Sequence, residues 1–256
     1  MLRLLSRPLC RSSCNKIILR PIVSSVDSQP QTVVPDLPER SQDPLQHFDY
    51  FGVSGLFTVK SLFDNRLHLG HTQRSLTPGM APFVFGTRFD MCLIDLDQTA
   101  LMLRQALNFT AHTAYNGGII LFVCRQPSLV HLTDRAAREC GEYSHTRPWK
   151  TEIFTATNIT FGQEVRLPDL VVMVHTKERH QYGDHRAILD CGKVAIPTVG
   201  LVDTDCNPNM ITYPVPGNDD SQDSVAMFLH LVKQSILLGK QKKQEDVARE
   251  KERGDN

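Results

Sequence analysis

The sequence predicts an α/β fold with three layers (α/β/α), in which a mostly parallel sheet lies between two layers of helices. Two observations support this prediction. Continuous apolar runs, such as Ile119–Cys124 and Leu170–Val174, are typical of strands buried on both faces of a parallel sheet. Segments with apolar residues at helical spacing alternate with these runs, as in proteins built from strand–helix–strand units. The alternation continues over 57–239, where we expect one domain.

The individual elements follow from apolar periodicity and from the residues at their ends. In chain order we predict a helix at 59–63, a strand at 91–96, a helix at 97–115, a strand at 119–124, a helix at 129–140, a strand at 169–174, a helix at 184–191, a strand at 194–202 and a helix at 221–238. Thr58 and Ser128 are suitable N-cap residues for two of these helices. Gly117 and Gly141 follow two others, where glycine readily adopts the left-handed conformation that ends a helix. The stretch 143–168 shows no clear pattern.

The two ends of the chain differ from this domain in composition. Residues 1–26 hold five basic side chains and no acidic one, are rich in serine, and place Leu2, Leu5 and Leu9 at helical spacing. This pattern is typical of a mitochondrial transit peptide, whereas a secretory signal needs a continuous apolar stretch. We therefore predict a transit peptide at 1–26, a proline-rich extension at 27–56 and a charged tail at 240–256.

Composition excludes several classes of protein. Lys and Arg together number 28, as do Asp and Glu, so no charge excess dominates the chain. No apolar run approaches the ~18 residues that a membrane-spanning helix needs. The seven cysteines show no paired C-x-x-C spacing, which argues against a zinc ribbon and against a disulfide framework.

The predicted strand at 91–96 runs into Asp95 and Asp97, which form the sharpest catalytic candidate. The stretch D-x-D-x-T resembles the first motif of haloacid-dehalogenase-type phosphatases. By that resemblance Asp95 would be the nucleophile and Asp97 the acid/base. Lys177 or Lys193 would hold the phosphate, and Asp219-Asp220 would help to bind magnesium, which offsets the repulsion between carboxylate and phosphate.

Other features oppose this phosphatase hypothesis, which we keep as the alternative. Gln98 stands where that family usually has glycine, and the stretch 213–217 contains two prolines, which a central strand does not accept. Carboxylates at the start of a helix also have a structural use. We expect Asp97 at an N-cap, where its carboxylate accepts hydrogen bonds from free backbone N–H groups and lies at the positive end of the helix dipole.

A local basic patch is the remaining functional signal. From Lys60 to Arg88 there are four basic side chains and one acidic side chain, Asp64. A looped segment of this charge can follow a phosphate backbone. His68 and His71 have the spacing of two metal ligands, but no acid or cysteine lies nearby at ligand spacing, so we interpret them as turn or surface histidines.

Three ordered motifs then point to a known family. They are the run NRLHLGHTQRSLTPGMAPFVFGTRFDMCLIDLDQTAL at 65–101, the run PDLVV at 168–172, and the run from Ile196-Pro197 through VDTDCNP at 202–208 to YPVPGNDD at 213–220 and Ser224. Together they resemble the universal small-subunit ribosomal protein S2 family. With the transit-like start, the sequence resembles the mitochondrial form.

The sequence also departs from the family pattern. Asn65 replaces a usual glycine, Thr77 replaces a usual asparagine, and Asp205 replaces another usual asparagine. Bacterial members carry a long helical hairpin between the tryptophan region and the P-D-L motif. Only 18 residues separate Trp149 from Pro168 here, too few for that hairpin.

The resemblance implies a flavodoxin-like sheet without a catalytic site, a metal or another cofactor, and without a small-molecule substrate. It implies a structural role in the mitochondrial matrix, with small-subunit ribosomal RNA (rRNA) and other small-subunit ribosomal proteins as partners. As candidate rRNA contacts we name Arg66, His71, Arg74, Arg88, Lys177 and Arg179. As structural turn and cap residues we name Asp95, Asp97, Asp203, Gly217, Asn218, Asp219 and Asp220.

Overall fold

A computed structural model describes residues 45, 47, 49–150, 152–162, 165–177 and 183–254. The predicted transit peptide and most of the proline-rich extension lie outside the described residues. The helices are α1 (Val59–Asp64), α2 (Leu96–Asn116), α3 (Val130–Cys140), α4 (Thr157–Phe161), α5 (Arg186–Val194) and α6 (Gln222–Gly254). The strands are β1 (Leu69–Thr72), β2 (Val84–Arg88), β3 (Met91–Ile94), β4 (Ile120–Val123), β5 (Tyr143–His145), β6 (Leu170–Met173), β7 (Thr198–Val202) and β8 (Tyr213–Pro216).

The centre of the fold is a five-stranded parallel sheet with the order β5-β4-β6-β7-β8. If these five strands are renumbered along the chain, their order is 2-1-3-4-5, which is the flavodoxin-like arrangement. Leu170 and Val172 face the core beneath α2, α3 and α6, whereas Val171 and Met173 face the core beneath α5. The prediction of a three-layer α/β/α fold with a mostly parallel sheet is therefore confirmed.

The strand predicted at 91–96 does not belong to this sheet. β3 lies in the middle of a separate antiparallel sheet, with the order β1-β3-β2, that we call the small sheet. Met91 is 40% exposed, so β3 is not buried on both faces. The strand itself was predicted correctly, but its assignment to the parallel sheet was wrong, because a four-residue apolar run fits either kind of strand and β1 and β2 lack a clear alternation.

The proline-containing stretch 213–217, which a central strand would not accept, forms strand β8 at one edge of the parallel sheet. Gly217 N donates to Val202 O (2.9 Å), so alternate N–H positions along β8 point towards β7. Pro214 and Pro216 occupy the positions that point away from the sheet. An edge strand accepts proline there because no ladder hydrogen bond is lost.

Local capping explains where several helices begin and end. Thr58 caps α1 reciprocally with Ser61, as its sequence position predicts. Gly117 follows α2 with φ 77°, and Gly141 follows α3 with φ 68°, both left-handed. Ser128 does not cap α3, because the helix begins one residue later, after Leu129.

The packed part of the chain extends past 57–239 at both ends. Phe51 and Val53 are buried in the main core, although the proline-rich extension was predicted to reach residue 56. α6 continues into the charged tail, where Asp246 accepts hydrogen bonds from the hydroxyls of Tyr50 (2.9 Å) and Tyr115 (3.0 Å). Within the described residues, no helix combines the length and apolar character needed to cross a membrane.

Candidate nucleic-acid interface

The structure brings Arg74 and Arg88 to the same end of the small sheet. β2 and β3 are joined by the two-residue turn Phe89-Asp90. We call Arg88, Phe89 and Asp90 together the hairpin tip. Gln73, the neighbour of Arg74, donates its backbone N–H to Asp90 O (2.8 Å) and so holds the turn after β1 against this tip. Both arginines are exposed, and neither forms an ion pair with a described residue.

Arg66 lies at the opposite end of β1 and is also exposed. Its backbone is left-handed, with φ 61°, which is uncommon for a residue other than glycine. Asn218 Nδ2 donates to Arg66 O (3.3 Å), and this hydrogen bond ties the turn to the segment that follows β8. The guanidinium of Arg66 forms no ion pair within the described part of the chain.

His71 faces carboxylates rather than open solvent. Its Nδ1 lies 3.0 Å from Asp203 Oδ2, and its Nε2 lies 3.3 Å from Asp220 Oδ2. The close contact with the Asp203 carboxylate raises the pKa of His71 to about 9, although partial burial opposes the shift. His71 is therefore a cation at neutral pH whose charge is offset inside the chain.

Lys177 has an internal partner as well. Its Nζ lies 2.6 Å from Asp205 Oδ2, and this hydrogen bond raises the pKa of Lys177. Arg179 lies outside the described residues. Of the six candidate rRNA contacts, two cations thus already have carboxylate partners, whereas the three arginines on the small sheet have none among the described residues.

The acidic candidates cluster at the carboxyl ends of β7 and β8. We call Asp203, Asp205, Asp219 and Asp220 the carboxylate cluster. Asp219 is 6% exposed, and its Oδ2 lies 2.9 Å from Nδ1 of His175. Burial raises the pKa of Asp219, although the contact with His175 opposes this shift.

Asn218 and Gly217 shape the entry to α6. Asn218 Oδ1 accepts hydrogen bonds from the backbone N–H groups of Asp220 (3.0 Å) and Ser221 (3.2 Å). A Cβ on Gly217 would lie only 2.9 Å from Leu201 Cδ1. A side chain at this bend would force Leu201 to shift, which glycine avoids, and the asparagine orders the first turn that follows it.

Asp95 and Asp97 occupy helix-capping geometry rather than a catalytic site. Asp95 is the N-cap of α2, and its carboxylate accepts from Asp97 N (3.0 Å) and from Gln98 Nε2 (3.0 Å). The prediction that Asp97 is the N-cap was therefore wrong by two residues, because Asp97 lies in the first turn of α2, where it is exposed. Because β3 belongs to the small sheet, Asp95 does not follow a strand of the parallel sheet, as a phosphatase nucleophile would be expected to do.

The histidines at 68 and 71 have different neighbours. The ring of His68 stacks on Phe63, with centroids 4.3 Å apart, whereas His71 faces Asp203. In the part of the chain that the structure describes, no group of three or more His, Cys, Asp or Glu side chains is placed to hold a metal ion. Trp149 is buried and donates to Asp190 Oδ2 (3.0 Å), so its ring faces the core rather than a partner.

Two exposed aromatic side chains on the β2–β3 hairpin are not among the residues predicted from the sequence. Phe89 at the tip is 89% exposed, and Phe85 at the bulge in β2 is 81% exposed. The sequence carried no hairpin signal, because the turn Phe89-Asp90 lacks the Asn-Gly or Asp-Gly pair typical of such turns. The alternation of exposed and buried residues in β2 is also interrupted by the bulge.

Fold and surface together define a flavodoxin-like α/β protein that carries a small antiparallel sheet with exposed arginines. The family model described as ribosomal protein S2 matches residues 62–160 and, in a second segment, 151–239. The chain therefore belongs to the ribosomal protein S2 family. This result supports the resemblance seen in the sequence and leaves the phosphatase alternative without support.

Individual relatives agree with the family match. The chain is 47% identical over 216 residues to the small ribosomal subunit protein uS2m of Bos taurus, with 81% of this chain and 73% of the bovine protein covered. It is 29% identical over 225 residues to the small ribosomal subunit protein uS2 of Gluconobacter oxydans (72% and 83% covered). It is 30% identical over 226 residues to uS2 of Neorickettsia sennetsu (71% and 74% covered).

Between Trp149 and Pro168 the described residues form only the five-residue helix α4, so no helical hairpin is present there.

Proposed function

We propose that this chain is a structural, non-enzymatic component of the mitochondrial small ribosomal subunit. In this role it binds small-subunit rRNA and neighbouring ribosomal proteins in the matrix and supports mitochondrial translation. The observation that carries the proposal is the family membership combined with 47% identity to a relative named uS2m. The basic, acid-free composition of residues 1–26 supports import into mitochondria, with these residues as the transit peptide.

The distribution of charge supports an rRNA contact on one face. Residues 1–26 contain five basic side chains and no acidic one, and the whole chain is neutral, so residues 27–256 carry a net charge of −5. In the folded domain four acids gather in the carboxylate cluster, where His71, His175 and Lys177 face them. Arg66, Arg74 and Arg88 are exposed and take no part in those ion pairs. A protein with net negative charge thus still offers cations to phosphates.

Sedimentation tests this proposal directly. A tagged full-length chain is expressed in cells, the mitochondria are lysed in magnesium buffer, and the lysate is separated on a gradient. We expect the chain to travel with the small ribosomal subunit. A chain that stays at the top of the gradient as free protein would refute the proposed function.

The arginines of the small sheet can be tested in the same experiment. We expect the double variant Arg74→Glu/Arg88→Glu to enter the subunit poorly, because two phosphate contacts become repulsive. The matched control is Arg135→Glu/Arg138→Glu, which reverses two exposed arginines on α3. Equal incorporation of both double variants would show that the small sheet is not an rRNA contact.

A further inference from the structure

The hairpin tip presents a side chain in an unusual way. Phe89 has φ 52° and Asp90 has φ 61°, so both residues of the turn are left-handed. A bulky side chain rarely adopts this conformation, and asparagine or glycine is the ordinary choice there. The pairing of Arg88 with Met91 and the hydrogen bond from Gln73 N to Asp90 O hold the turn in place. The fold thus keeps a phenylalanine at a position that disfavours it.

The surroundings of this ring are basic and open. Phe89 is 89% exposed. The guanidinium carbon of Arg88 lies 5.5 Å from the centroid of the ring, and among the described residues no other aromatic ring packs on it. Arg74 lies next to the tip, because its neighbour Gln73 is hydrogen-bonded to Asp90. The only acidic side chain of the tip is Asp90.

We propose that the hairpin tip binds an unpaired base of the small-subunit rRNA, with the base stacked on Phe89 and the flanking phosphates held by Arg88 and Arg74. This inference rests on the proposed function and specifies which contact the small sheet makes with the rRNA. An exposed aromatic ring beside arginines is what recognition of single-stranded RNA requires, since bases stack on the ring and guanidinium groups bind phosphates. A base inside an A-form duplex is already stacked, so the partner is a loop, a bulge or a strand end.

Charge and area favour RNA over a protein at this tip. A two-residue turn exposes one ring, which matches one base, whereas a stable protein interface buries about 800 Å² on each partner. An apolar protein groove that received Phe89 would also desolvate Arg88, which forms no ion pair within the described residues. Phosphates on both sides of a stacked base satisfy Arg88 and Arg74 instead.

The test uses assembled small subunits that contain the full-length chain. After ultraviolet irradiation and digestion with trypsin, cleavage after Arg88 releases a peptide, 89–104, that begins with Phe89. We expect this peptide to carry a nucleotide adduct. The adduct is expected to be lost in Phe89→Asn, retained in Phe89→Tyr, and retained in Phe161→Ala, which truncates an exposed phenylalanine between β5 and β6.

The asparagine variant separates contact from folding. Asparagine is better suited than phenylalanine to a left-handed turn, so Phe89→Asn keeps the hairpin while it removes the ring. With the isolated chain and rRNA, loss of one stacked base is expected to weaken binding about 5- to 150-fold. In assembled particles, a base protected from chemical modification in the wild type is expected to become reactive.

Two results would overturn the inference. One is a peptide 89–104 without nucleotide in particles where other peptides of this chain carry adducts. The other is that the chemical reactivity of the rRNA bases is the same in Phe89→Asn particles as in wild-type particles. This second result counts against the inference also when the tip is found cross-linked to a protein. Both results leave the proposed function intact, because the chain still sediments with the subunit. Failure to sediment with the subunit would refute the proposed function itself.

Discussion

His71 gives the sharpest prediction about stability, because it connects the small sheet to the end of β7 by a charge interaction. Replacement by glutamine (His71→Gln) removes the cation that faces Asp203, a carboxylate that is 1% exposed, and Asp220. Among the described residues, the buried carboxylate then keeps its hydrogen bonds from the backbone N–H and the hydroxyl of Thr204. We expect the variant to be less stable, and the loss to depend on pH.

The size and sign of this effect follow from the pKa of His71. A rise from 6.5 in the unfolded chain to about 9 in the folded chain corresponds to at most about 3 kcal/mol. The side chain is 33% exposed, so solvent screening reduces the expected contribution to about 2 kcal/mol. Since the folded pKa is the higher one, the contribution is complete below pH 6.5 and disappears as pH rises through about 9.

Urea unfolding of the wild type and of His71→Gln, at about pH 6 and about pH 10, measures the contribution of His71 to the free energy of unfolding. The chain has one tryptophan, Trp149, which is buried, so its fluorescence reports unfolding. We expect His71→Gln to lose about 2 kcal/mol at pH 6 and much less at pH 10. The difference between wild type and variant cancels the titration of other groups.

The control is His230→Gln, which removes an exposed histidine of α6. We expect its unfolding free energy to change little at either pH. The reasoning would be refuted if His71→Gln cost the same at both pH values, since that pattern would indicate a packing role rather than a charge interaction.

Two further predictions concern close packing and a buried carboxylate. Gly70→Ala is expected to destabilise the chain by about 1–3 kcal/mol, because its Cβ would lie 2.6 Å from Thr204 Cγ2. The control is Gly55→Ala, where a Cβ has open space, and urea unfolding measures the stability of both variants. Equal stability of the two variants would contradict the prediction. Asp190→Ala is expected to cost about 1–3 kcal/mol, because it leaves the indole N–H of Trp149 without its partner. Tryptophan fluorescence follows the same unfolding, and an unchanged urea midpoint would disprove that role.

Local sequence signals predicted five of the six described helices and the strands β4, β6 and β7, although α6 extends past the predicted end at 238 to Gly254. The bounds of α2 follow from its apolar face and from Gly117, and β4 and β6 follow from their continuous apolar runs. These features depend on residues close together in the chain. The assignment of β3 failed because the choice between two sheets depends on pairing with β1 and β2, which no local pattern encodes.

The same limit applies to the candidate interface. Composition alone identified the basic stretch that contains Arg66, Arg74 and Arg88. It could not show that His71 faces Asp203, because 132 positions of chain separate the two residues and only the folded sheet brings them to 3.0 Å. Phe89 was missed for a different reason, since its importance lies in its exposure and its left-handed turn, which are properties of the folded hairpin.

The edges of the parallel sheet have a consequence for how this chain behaves before assembly. β5 has only three residues, and β8 carries prolines at the positions that point outward, so that strand offers no outward N–H at either of them. Another chain therefore finds little to extend by strand addition, which is the usual route to edge-to-edge aggregation. These edges therefore protect a folded copy of the chain that is not yet bound to another molecule.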